Sequence, residues 1–115
     1  GVMHEYSIVQ ALVDRLALEA RAQGATAVHR LSIRIGELSG VDPDLLTTAY
    51  DTFREKTICE RAQLDLQIVA ARWDCPACGQ AIARGAVLTC PACSLPARLS
   101  QGDEIMLDRL ELEVP

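Results

Sequence analysis

Between Glu5 and Gln23 the apolar residues Ile8, Val9, Leu12, Val13, Leu16 and Ala20 recur at intervals of three and four. That spacing predicts one face of an amphipathic helix, and Gly24 is placed to end it. The period then changes. In "VHRLSIRIGEL" the residues Leu31, Ile33 and Ile35 alternate with Arg30, Ser32 and Arg34, the pattern of a half-buried strand. "GVDPDLLTTAYDTF" predicts a second helix, with Asp42 as its N-cap and Pro43 at the first helical position. Asp44 puts a favourable negative charge in its first turn, and Leu45, Leu46, Ala49, Tyr50 and Phe53 supply its buried face. "QLDLQIVAA" alternates through Leu64, Leu66 and Ile68, and "DRLELEVP" through Leu110, Leu112 and Val114, giving a second and a third strand.

The order is helix, strand, helix, strand, cysteine-rich segment, strand. It predicts an α+β fold with two helices on one face of a three-stranded sheet. Residues 1–72 and 104–115 would form that domain. Residues 73–103, rich in Cys, Pro, Gly and Ala, would interrupt it as an inserted, zinc-ribbon-like subdomain. A length of 115 residues suits one domain with a small appendage. Only Tyr6, Tyr50, Phe53 and Trp73 are aromatic, so the core must be aliphatic.

The apolar runs fall well short of the ~20 residues that cross a bilayer, and no basic-then-apolar leader is visible. The expectation is a soluble, cytoplasmic protein with no membrane partner. The formal charge of −5 weighs against nucleic acid as a partner. No basic patch offsets it, since the insertion carries Arg84 and Arg98 against Asp74 and Asp103. No phosphate loop, nucleophile or paired acid/base carboxylates can be picked out, so the chain reads as something other than an enzyme.

"CPACGQAIARGAVLTCPAC" holds Cys75 and Cys78, then Cys90 and Cys93. Two residues between paired cysteines let both thiolates reach one tetrahedral ion while the turn amides point at the sulfurs. Four soft thiolates with no open position select Zn2+ held structurally. Two disulfides or a redox dithiol are the competing readings. A reducing cytosol disfavours the first, and matched pairs without thioredoxin-like surroundings disfavour the second. Cys59, far from the pairs, reads as a partly buried free thiol, and His29 near the start of the first strand as structural.

The remaining motif is the opening "GVMHEYSIVQ". Gly1 and Val2 would be explained as the remnant of a cleaved tag. If the chain starts at Met3, its amine, the His4 amide nitrogen and the His4 imidazole can close two fused chelate rings. A neighbouring amide, or a side chain such as Glu5, would complete a plane. Nitrogen-rich planar sites suit Ni2+ or Cu2+. The same residues also read as an exposed His near a helix start and a Glu suited to the helix dipole.

Taken together, "MHEYSIVQALV", "IRIGELSGVDPDLL", the two "CPAC" knuckles and "GDEIMLDRLELE" resemble the HypA/HybF family of nickel metallochaperones for NiFe-hydrogenase maturation. The similarity runs in the same order from Met3 almost to the end. The resemblance implies Ni2+ as transient cargo at Met3, His4 and Glu5, and structural Zn2+ at Cys75, Cys78, Cys90 and Cys93. It also implies a GTPase hydrogenase-maturation protein and the hydrogenase large-subunit precursor as partners, with urease served by some members. Ser94, where a glycine often follows a second knuckle, and Gly1-Val2 ahead of the start depart from the family pattern. The reading from another class is a zinc-ribbon module that binds protein or nucleic acid without delivering nickel; a thiol oxidoreductase would need an exposed cysteine of low pKa.

Overall fold

The computed structural model describes residues 2–83 and 85–115, with side chains from His4 onward. Gly1, Arg84 and the side chains of Val2 and Met3 lie outside it. The first helix, α1 (Val2–Ala22), begins ahead of the expected Glu5 and takes in Met3 and His4. Val9, Val13, Leu16 and Ala20 form its buried stripe, with Ile8 and Leu12 half-buried beside them. Glu5 lies one turn upstream on the same stripe and is buried too, which a count of apolar positions does not detect. At the other end Gly24 adopts a left-handed φ of 70°. The Ala25 amide donates to Ala20 O at 2.8 Å, and that of Gly24 to Arg21 O at 3.1 Å. This pair of bonds satisfies the last carbonyls of the helix.

Strand β1 (Ala27–Gly36) is central in its sheet. Helix α2 (Pro43–Phe53) carries the chain over to β2 (Gln63–Val69), which pairs parallel to β1 with Ile33 opposite Leu66. A parallel pair requires such a crossover, because no tight turn can join its strands. Asp42 caps α2 as its sequence predicts: its carboxylate accepts the amides of Asp44 at 2.9 Å and Leu45 at 3.2 Å. The layers meet over Val9, Leu16, Leu31, Ile35, Leu46 and Tyr50. Tyr6 and Phe53, with ring centroids 5.3 Å apart, join α1 to α2.

The insertion holds three short strands, which we label β3 (Arg72–Asp74), β4 (Ala81–Ile82) and β5 (Arg98–Gln101). They pair antiparallel in the order β4-β3-β5, around a small core of Cys75, Ile82 and Cys90 with Trp73, Cys93 and Ala97 against it. The chain then returns as β6 (Ile105–Glu113), antiparallel on the other side of β1. Its alternation is interrupted. Leu107 pairs with Ile33 and Arg109 with Ser32, so Asp108 is an extra residue, and His29 is the extra residue on β1. The bulge at Asp108 lets Leu107 and Leu110, three apart, both pack on the core. Val114, expected to continue the alternation, lies past the strand and is exposed. Ile68, near the end of the edge strand β2, is also half exposed.

The two sheets join where backbone meets backbone. The Gly36 amide donates to Glu104 O at 2.8 Å, that of Glu37 to Val69 O at 2.8 Å, and that of Leu38 to Gly102 O at 2.7 Å. A Cβ on Gly36 would overlap the Gly102 carbonyl, and one on Gly102 (φ +106) would come within 2.6 Å of Ala71 Cα. No helix among the described residues is long and apolar enough to cross a membrane.

Two protonated acids lie in the main core. Tyr50 donates its hydroxyl to Ala62 O at 2.8 Å, and burial pushes its pKa up to about 12. Burial pushes the Cys59 thiol up to about 11. Both ionise more readily in the unfolded chain, so the native state holds the extra protons as pH rises, and stability falls. The loss should begin near pH 9, where an unfolded cysteine titrates, and be complete above about pH 12. Urea unfolding followed at several alkaline pH values should show this slope, and Cys59→Ala should remove its lower-pH portion.

Candidate metal centres

Each cysteine pair sits in a turn built by its own backbone. The Gly79 amide donates to Cys75 O at 2.9 Å and that of Ser94 to Cys90 O at 2.8 Å. The Cys75 amide donates to Gln80 O at 2.9 Å, and that of Cys90 to Leu95 O at 2.8 Å. The two "CPAC" segments therefore fold alike. The turns aim amides at sulfur: Ala77 N and Cys78 N lie 3.4 and 3.5 Å from Cys75 Sγ, and Cys93 N lies 3.4 Å from Cys90 Sγ.

This brings the four predicted cysteines together. Their Sγ atoms all lie within 4.8 Å of one another, and Cys78 Sγ and Cys90 Sγ are 3.8 Å apart. A tetrahedron of thiolates about 2.3 Å from a central Zn2+ has edges of about 3.8 Å. A disulfide needs about 2.05 Å between sulfurs, and all the cysteines are free thiols. The donor set is consistent with a zinc site whose coordination shell is closed. The Cys78 amide, with that of Ala77, pulls the Cys75 thiol down to about 6. Sulfur contacts to Cys78 and Cys75, with burial, push Cys93 up to about 12. Anionic sulfur next to protonated sulfur is the arrangement a divalent cation would replace.

The Met3-His4-Glu5 motif occupies the first turn of α1. The His4 ring is 55% exposed, with Nδ1 3.9 Å from Glu5 Oε1. Glu5 is only 1% exposed. Its Oε1 accepts the Asp42 amide at 3.2 Å, and this bond holds the carboxyl below the usual carboxylate range. Met3 contributes its backbone here, while its side chain lies outside the described residues. The structure thus sets an exposed imidazole beside a carboxylate that ties the start of α1 to the cap of α2. Asp42 was legible only as a cap; the use of its amide depends on a contact across the fold and leaves no trace in local sequence.

Neither remaining candidate joins a centre. Cys59 is fully buried beneath Tyr50, and His29 is exposed at its bulge, 3.8 Å from Glu113.

The knuckles differ at one strained position. Gly79 has φ 76°, and Ser94, its counterpart, is held at φ 58°. A side chain there costs about 1 kcal/mol or more. Ser94→Gly should tighten binding of Zn2+ to the cysteine cluster, and Gly79→Ala, which meets no steric obstacle, should weaken it. Each change should be about fivefold, read by competition with a chelator of known affinity.

The comparisons agree with this geometry. Residues 3–112 match the family model described as "Hydrogenase/urease nickel incorporation, metallochaperone, hypA". The chain is 41% identical over 113 residues to a hydrogenase maturation factor HypA from Shewanella baltica (strain OS195), covering 96% of this chain and 97% of that one. It is 40% identical over 114 residues to the factor of the same name from Aquifex aeolicus (strain VF5), covering 97% and 99%. Among solved structures, that titled "Solution structure of HypA protein" is similar with a TM-score of 0.80 and 31% identity, covering 100% of both chains. The solution structure of the Ni metallochaperone HypA from Helicobacter pylori is similar with a TM-score of 0.71 and 30% identity, covering 96% and 98%. A full-length match in sequence, the same fold and the paired knuckles all converge: this chain belongs to the HypA family of nickel-incorporation metallochaperones, which act in hydrogenase maturation.

Proposed function

We propose that the chain binds Ni2+ at Met3-His4-Glu5 and delivers it to the large-subunit precursor of a NiFe-hydrogenase, working with a GTPase maturation protein. Zn2+ at Cys75, Cys78, Cys90 and Cys93 is structural, and the work is done in the cytoplasm, where thiols stay reduced. The observation that carries this reading is the exposed His4 imidazole on a helix start pinned by buried Glu5. The amides of a helix's first turn have no carbonyl four residues upstream to bond. The His4 amide can therefore lose its proton to a metal without breaking the rest of α1. Planar chelation is incompatible with helical φ and ψ at Met3 and His4, so loading unwinds that turn while Glu5 anchors the remainder of α1.

In a chain whose first residue is Met3, the amine lies one residue from His4. With Gly1-Val2 ahead of it, that nitrogen is an amide, and amine and imidazole are joined through a longer run of peptide groups. Calorimetric titration at one pH should give tight, planar nickel binding for the Met3-first chain, with the d–d absorption of square-planar Ni2+. The longer chain should bind more weakly and with a different spectrum. His4→Ala should weaken binding by at least about tenfold and leave zinc content unchanged. Equal affinities and identical spectra for the two starts would remove the amine from the ligand set.

We also propose that the insertion, 73–103, and the α+β domain, 1–72 with 104–115, fold as separate units. Separate sheets and separate apolar clusters support this division. Zinc binding is then local folding free energy. Cys78→Ser should shift the amide resonances of the insertion toward random-coil positions while those around Ile33 and Leu66 persist. Melting of both together would refute the division.

A further inference from the structure

The knuckles are alike in backbone but not in the side chain just past each turn. Gln80 holds in the first knuckle the place that Leu95 holds in the second, each accepting the amide of its own leading cysteine. Those two cysteines are each 1% exposed, so little water reaches their sulfurs. Cys75 Sγ receives two turn amides, from Ala77 and Cys78. Cys90 Sγ receives that of Cys93; beside it lie Cys78 Sγ at 3.8 Å and the Gln80 carboxamide, with Oε1 at 3.9 Å.

A thiol donates to that oxygen. A metal-bound thiolate has no proton and only accepts, and a carboxamide presents its NH2 instead of its oxygen by turning about its terminal bond. The Gln80 backbone is held by the Cys75 amide, so the side chain reaches across the cluster from a fixed point on one knuckle to a sulfur of the other. We propose that Gln80 is a positioning residue of the zinc centre, donating its side-chain N–H to the Cys90 thiolate and so supplying the second hydrogen bond that Cys75 has from backbone. This rests on the reading of the four cysteines as the zinc site. Hydrogen bonds to a coordinating sulfur withdraw charge from it, which lowers its nucleophilicity and slows its release of the metal.

The test uses the zinc-loaded full chain with Gln80→Glu, which keeps the shape but replaces a donor with an acceptor, and Gln80→Leu, which copies the second knuckle. Zinc transfer to a chromophoric chelator is timed, and iodoacetamide alkylation is mapped by mass spectrometry. Backbone amide spectra of the strand residues confirm that each variant is folded. Both variants should lose zinc about three- to tenfold faster, Gln80→Glu the faster, with the added alkylation concentrated at Cys90. Rates equal to wild type in Gln80→Glu would overturn the proposal whether or not Gln80→Leu is fast, since shape alone would then account for the residue. A wild-type chain without one zinc per chain would instead defeat the zinc reading itself.

Discussion

At the end of β1 the chain passes so close to its own backbone that no side chain fits. Gly36 packs against the Gly102 carbonyl, and Gly102 against Ala71. Amides 36, 37 and 38 are all taken by carbonyls of other segments. Three connections meet here: the exit of β1, the path from β2 into the insertion, and the path from the insertion into β6. Buried backbone groups must be paired, and here they pair with one another. The same junction therefore sets where the second sheet leaves the first and where the loop toward Asp42 begins.

That loop leads to the second constraint. Burying a carboxylate is costly unless it is hydrogen-bonded. Glu5, on the apolar stripe of α1, meets this need through the Asp42 amide, one residue before α2. The Asp42 carboxylate meanwhile caps α2. One residue thus uses its backbone to hold one helix and its side chain to start another. The exposed His4 beside this anchor is the kind of group a transient ion needs: accessible, yet attached to a fixed helix. The cysteine cluster is the opposite kind, four thiols gathered by matched turns with Cys75 and Cys90 buried, and suited to retaining an ion. On the proposed reading, retention and release fall to two sites with different ligand chemistry.

Much of this was legible in the chain. Period alone located α1, β1, α2 and β2, because each buries one face and its apolar spacing must follow its own geometry. The Asp42-Pro43 start and the Gly24 stop are local chemistry and appear where the residues predict them. The cysteine spacing announced a cluster, since two residues between thiols suffice to bring both to one point. The Met-His-Glu start and the order of motifs marked the family.

Other features were settled only by the fold. Parallel pairing of β1 with β2 depends on where α2 packs, not on the strands' own alternation. The bulge at Asp108 moved the face of β6 by one residue, which alternation counted from Leu110 cannot detect. Glu5 read as a nickel-site residue or a charge suited to the helix dipole; its burial and its anchoring bond went undetected, because its partner is an amide brought close only by tertiary packing. Gln80 carried no signal, for its reach to Cys90 exists once the two knuckles face each other. Sequence by itself determined the elements and the donor atoms, since both depend on residues near in the chain. The tertiary structure alone decided which of those atoms are held, shielded or exposed, since that depends on groups far apart in sequence meeting within about 4 Å.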